Sequence, residues 1–218
     1  MRVFIVECLN PMDLLQRRSE AEALERTCRL LRHDVAVSHV ESRAQLRERR
    51  EFIASIDEKH DERRRKGVPL CVHIAAHGNA DGLEIGPEVI TWAQLADAIL
   101  PLGKLDSYSG PLIVVLSACD AGQQQLTSEL AKRRKKTTSL RLTAYVFVTC
   151  YHRLAWTSSV AAWTVFYHLI LKKAKLDQPP TVKDVLTTVR AGGGALLRYY
   201  RWDDGRRRYL KYEPARGN

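Results

Sequence analysis

No apolar run in this chain approaches the roughly 20 residues that a membrane-spanning helix needs. The apolar opening RVFIV is interrupted at once by Glu7 and by Pro11-Met12-Asp13, so no secretory signal is expected and a soluble, cytoplasmic protein is. Cysteine is sparse. The five residues Cys8, Cys28, Cys71, Cys119 and Cys150 are odd in number, widely spaced and mostly inside apolar runs. That usage argues against a disulfide framework and suggests no zinc site; no metal or organic cofactor is expected. Internal repeats and low-complexity segments are lacking too, and the 218 residues suit one α/β domain spanning 1–218 with a sizeable core.

What the chain has in excess is positive charge, a formal +10 concentrated in runs at Arg63 to Lys66, Lys132 to Lys136 and Arg206 to Arg208. Each run falls at an expected helix end or turn, where cations favour the helix dipole or stay solvated. Binding of nucleic acid or an acidic partner is the alternative reading of the same charge.

Along the chain, apolar strand-length runs alternate with amphipathic helical patterns. RVFIVECLN reads as a first buried strand, and Ser19 with Glu22 caps a helix whose apolar side is Leu24, Cys28 and Leu31. DVAVSHV is a second strand, followed by a charged helix opened by Ser42 and Gln45, carrying Leu46, Ile53 and Ile56, and closing near Gly67. The third strand ends at His77 and leads through a Gly-rich turn to a helix capped by Thr91 and Gln94. PLIVVLSAC is the fourth strand, QQQLTSELAKRRKK a helix, and TAYVFVTC the fifth strand. Helices over SSVAAWTVFYHLIL and, starting at Thr181 and Asp184, over TVKDVLTTVRAGGG follow, with Pro179-Pro180 between them. RYYRWDDGRRRYLKY closes as a β-hairpin turning at Asp204-Gly205. This alternation predicts a mostly parallel sheet of about six strands with helices on both faces, a three-layer sandwich, plus the C-terminal hairpin.

Two stretches carry chemistry. Leu70 to Gly86, LCVHIAAHGNADGLEIG, stops its apolar run at His77-Gly78, and Leu112 to Gly122, LIVVLSACDAG, stops at Cys119. If these runs are neighbouring parallel strands, an imidazole faces a thiol at the carboxyl edge where open α/β sheets bind ligands. A thiol attacks only as thiolate, so a nucleophilic cysteine needs some exposure and a neighbouring base or positive dipole. Gly78 lets a backbone approach closely, and its N–H with that of Cys119 could hold an oxyanion. A lone Cys or His at a strand end is more often packing than catalysis; here the two end equivalent strands. Ser117 has no G-x-S-x-G elbow around it, which argues against a serine hydrolase. His73 lies deeper on its strand and reads as a core residue, and His152 reads as structural although it could reach the same edge.

The blocks HIAAHGNADGLEIG, ITWAQLADAIL, PLIVVLSACDAG and YVFVTCYHRLAWTSSVAAWTVFYHLIL resemble the CHAT branch of the caspase-like (clan CD) cysteine peptidases. The likeness runs in element order from Arg2 to Leu197 and is most specific at the His-Gly and Ser-Ala-Cys blocks. It implies a caspase-like sheet, His77 as the base, Cys119 as the nucleophile, and a protein substrate, in a role such as bacterial antiphage defence or regulated cell death. CYHRLAW departs from the small-residue, tryptophan-containing loop common at that place in such proteins, which puts the substrate-facing wall in doubt. No repeat or sensor domain accompanies the peptidase region, so regulation is expected from a protein partner, an oligomer or processing. A cut in the Lys132 to Lys136 run would be such processing.

Glu7, Asp81 and Asp120 are expected near the carboxyl edge of the sheet, where a carboxylate would select a basic residue before the cut, an apolar residue there and a solvated loop role for any single carboxylate being the alternatives. A preference for aspartate would need buried arginine instead, and Arg153 is the obvious candidate. The runner-up is a catalytically inactive caspase-like or basic α/β module that binds a protein or nucleic acid.

Overall fold

The strands β1 (Arg2–Cys8), β3 (Leu70–Ala76) and β6 (Leu112–Ser117) are buried along their whole length, which is why they read as near-continuous apolar runs. Each fully buried Val or Ile in them contributes about 1.5–3 kcal/mol of apolar transfer free energy. In the computed structural model, which describes residues 1–55, 67–104, 110–123, 125–136, 145–150, 155–192 and 195–214, they form the centre of a seven-stranded sheet. Adding β2 (Asp34–His39), β7 (Tyr145–Thr149), β8 (Leu197–Asp203) and β9 (Arg208–Tyr212), the order is β2-β1-β3-β6-β7-β8-β9. The first five strands are parallel, and β8 and β9 run antiparallel as a C-terminal hairpin continuous with the sheet.

Helices cover both faces, giving the expected three layers. On one face lie α3 (Arg43–Ser55), α4 (Trp92–Ile99) and α5 (Gln125–Lys136), packing Leu46, Leu95 and Leu130 on Val72 and Val114. On the other lie α2 (Glu20–Leu30), α6 (Trp156–Lys173) and α7 (Pro179–Ala191), packing Leu24, Trp163 and Val185 on Ile5 and Val115. No helix among the described residues is long and apolar enough to cross a membrane.

Three local features depart from expectation. The one-turn helix α1 (Pro11–Leu15), capped by Asn10, stands between β1 and α2. Beyond His77, the Gly-rich stretch forms a small antiparallel pair, β4 (Gly82–Ile85) with β5 (Glu88–Thr91), too short to register as alternation. Pro179 is the first residue of α7 and Gln178 its N-cap, so the prolines open that helix and Thr181 does not cap it. The expected end of α3 near Gly67, the Arg63 to Lys66 run, His152 and Arg153 lie outside the described residues.

Candidate active site

Parallel pairing of β3 with β6 sets Ala75 opposite Ser117. Two residues further on, His77 and Cys119 leave the sheet at the same edge and line one small pocket of about 30 Å³. Cys119 is half-buried and forms no disulfide. Burial pushes the thiols of Cys8, Cys28, Cys71 and Cys150 up to about 12. At neutral pH those four hold their protons, which argues against their acting as nucleophiles.

The imidazole of His77 is held from two sides. Its Nε2 lies 2.6 Å from Oδ2 of Asp13, a side chain only 4% exposed, and the Trp156 ring meets it edge-on at 5.9 Å. With Nε2–H donating to Asp13, Nδ1 is the nitrogen left to accept a proton. Asp13 owes its position to a reciprocal cap: its N–H donates to Oδ1 of Asn10 at 2.9 Å, and the Asn10 N–H donates back to Oδ2 at 3.2 Å. Pro11, at the first helical position, presets the backbone of this turn. Asp13 is thus a carboxylate orienting the imidazole, a role absent from the sequence reading.

The turn at Cys119 is clasped by the neighbouring strand. Thr149, buried at the end of β7, accepts the Ala118 N–H at 3.1 Å and donates its hydroxyl to the Ala118 carbonyl at 2.6 Å. Asp120 then adopts φ of 57°, a left-handed conformation that asparagine and aspartate tolerate better than most residues. On the next turn, the Gly122 carbonyl accepts from Arg198 at 2.6 Å and from Tyr200 at 3.1 Å. Facing Cys119, the Gly78 backbone lies so close that a Cβ there would sit 2.5 Å from the Cys119 carbonyl oxygen. Only glycine allows that approach.

Beneath the pocket lies a buried polar network. Glu20, the first residue of α2, is 1% exposed and lines the pocket with Ser117 and Ser159. Its carboxylate accepts from Ser117 at 2.9 Å, from Ser159, and from His73 Nε2 at 2.7 Å, while His73 Nδ1 meets the Tyr167 hydroxyl at 2.9 Å. His73 is fully buried, as its depth on the strand implied. Glu20 itself reads in the sequence as an ordinary first-turn acid.

The expected substrate carboxylates are not brought together. Glu7 is 0% exposed and turned inward, accepting the Ser19 hydroxyl at 2.7 Å and the Ala21 N–H at 2.9 Å, so it fastens the start of α2 and does not line the pocket. Asp81 is exposed in the turn before β4, its N–H held by Asn79, and lies outside the pocket lining. Asp120 adjoins the nucleophile but is likewise absent from that lining. The Lys132 to Lys136 run belongs to α5. Arg133 binds Asp97 and Glu129, and Arg134 lies 4.5 Å over the Trp202 ring. These two arginines pin α5 to α4 and to the hairpin, and a helix so anchored does not present an extended segment for cutting.

The site therefore joins a thiol, an imidazole oriented by a carboxylate, and a tight backbone turn, the parts needed for acyl transfer through a thiolate. In sequence comparison no family model matches the chain, and no curated protein matches it.

Proposed function

We propose that this protein is a cysteine endopeptidase of the caspase-like, CHAT type, acting on a protein substrate. The observation that carries the reading is the meeting of His77 and Cys119 in one pocket at the carboxyl ends of adjacent parallel strands, with Asp13 bonded to the far nitrogen of the imidazole. His77 takes the thiol proton through Nδ1, and the Asp13 carboxylate stabilises the imidazolium that forms. The thiolate attacks the scissile carbonyl, and the amides of Gly78 and Cys119 hold the oxyanion. Imidazolium then protonates the leaving amine, and water, deprotonated by the same ring, releases the acyl group. The resemblance in sequence supports a role as an effector in antiphage defence or regulated cell death.

The test is labelling by a peptidyl acyloxymethyl ketone, read by mass spectrometry of the intact protein. One adduct, on Cys119, lost in His77→Ala, is the expected result. No adduct on Cys119 in the folded protein, with or without added partner proteins, would leave the non-catalytic binding module as the reading.

A further inference from the structure

A second hollow opens at the carboxyl edge of the sheet, between α1, the start of α2 and the end of β2. It holds about 380 Å³, against about 30 Å³ for the pocket at Cys119, and its apolar lining is Leu9, Leu14 and Val37. That is room for a large side chain from outside. The rim continues into exposed apolar surface: Met12, Leu14 and Leu15, all on the five-residue α1, are 55%, 57% and 76% exposed. Among the described residues seven large apolar side chains are exposed, and three of them stand on this one turn, a clustering that marks an interaction surface. The charges around the hollow leave a positive remainder. Glu22 and Glu25 pair with Arg26 and Arg29 one turn along α2, His39 lies 3.5 Å from Glu7, and Asp13 is taken by His77. Arg17 and Arg18 line the same hollow and are exposed, and among the described residues neither guanidinium has a carboxylate partner.

We propose that this hollow is the docking site for an acidic segment of a partner protein, one large apolar side chain of which enters between Leu9, Leu14 and Val37 while its carboxylates meet Arg17 and Arg18. The surface is also joined to the site at Cys119. The Arg18 N–H donates to the Asp13 carbonyl at 2.9 Å, and the Asp13 side chain that holds His77 forms part of the wall. The hollow has this shape in the arrangement in which Asp13 holds His77, so an occupant that fits it favours that arrangement. Docking is therefore expected to speed reaction at Cys119. The docking surface stands on its own geometry; its effect on Cys119 rests on the peptidase reading.

The experiment pans a phage library of random dodecapeptides on the full chain. Enriched sequences are expected to set aspartate and glutamate around one leucine, isoleucine, methionine or phenylalanine. The best of them, synthesised with a fluorescein tag, should lose roughly 10-fold in affinity for Arg17→Gln/Arg18→Gln by fluorescence polarisation. Exchange of its apolar anchor for serine should cost about 10-fold or more. Lys172→Gln/Lys173→Gln, the same charge change on exposed lysines at the other end of α6 from Trp156, should leave the affinity within about twofold. With the peptide saturating, labelling of Cys119 by a peptidyl acyloxymethyl ketone should run about 5-fold faster or more. No enrichment, enriched sequences without acidic residues, or equal affinity for the wild type and Arg17→Gln/Arg18→Gln would overturn the docking assignment. A wild type that sediments as a dimer, with Arg17→Gln/Arg18→Gln a monomer, would overturn it in favour of a second copy of this chain. Arginine-dependent binding with an unchanged labelling rate would overturn the coupling through Asp13. No labelling of Cys119 under any condition would overturn the peptidase reading and leave the docking surface standing on the binding data.

Discussion

Replacing Asp13 by asparagine removes one charge from the site and little else. The side chain keeps its volume and can still accept from Asn10, whose N–H reaches Oδ2 at 3.2 Å, so the cap of α1 survives. What is lost is a charge-assisted hydrogen bond of 2.6 Å to His77, made by a carboxylate only 4% exposed. Bonds of that kind are worth about 1.5–3 kcal/mol, and the imidazolium formed when the thiol ionises draws on all of it. The expected loss is about 10–150-fold in kcat/KM with the amide oxygen kept toward the ring and the Asn10 N–H, which share the Oδ2 position. Asp13 does not line the pocket, so the loss should fall on kcat with KM unchanged. Steady-state cleavage of a fluorogenic peptide measures both, and thermal melting confirms the fold. An unchanged kcat, with Asp13→Asn melting like the wild type, would refute the reasoning that this carboxylate works through His77.

Other outcomes follow from the neighbouring geometry. Thr149→Val leaves the buried N–H and carbonyl of Ala118 without partners; urea titration should register a loss of roughly 2–6 kcal/mol, and cleavage should slow with it. Gly78→Ala sets a methyl group 2.5 Å from the Cys119 carbonyl oxygen, and the resulting shift of the nucleophile turn should cost on the order of 100-fold in kcat while the far-UV circular dichroism is retained. Hydrogen bonds from Arg133 hold the Asp97 carboxyl below the ordinary carboxylate range. A carboxylate lowered in this way adds stability above about pH 4 that disappears as the pH falls through its folded value. Arg133→Met should therefore lower the melting temperature at pH 7 and narrow the gap to the wild type toward pH 2; a gap that stayed constant would contradict the pairing.

How much of this could be read from the residues varied with the kind of signal each one leaves. His77 and Cys119 were legible because each follows the end of a fully buried apolar strand and the two strands read as equivalent neighbours. The parallel order of the sheet came from the same runs, and the hairpin from Asp204-Gly205. Asp13 was not legible: a five-residue helix is too short for periodicity, and its signature, Asn10 three places before Asp13 with Pro11 between, was the one signal available. Which of Glu7 and Glu20 lies at the pocket was not legible, for a physical reason. Both are acids at the ends of elements, and only the fold decides which of them turns inward to cap a helix and which lies under the pocket. Thr149 looked like one more β-branched strand residue until pairing with β6 placed its hydroxyl against Ala118.

The most direct measurement of the central claim is exposure of a proteome-derived peptide library to the wild type, Cys119→Ala and His77→Ala, with every new terminus mapped by mass spectrometry. The account predicts cuts by the wild type alone, with both variants folded and silent. Cuts that persist in Cys119→Ala would contradict it, because the bond would then be broken without the thiol that adjoins His77 in the pocket.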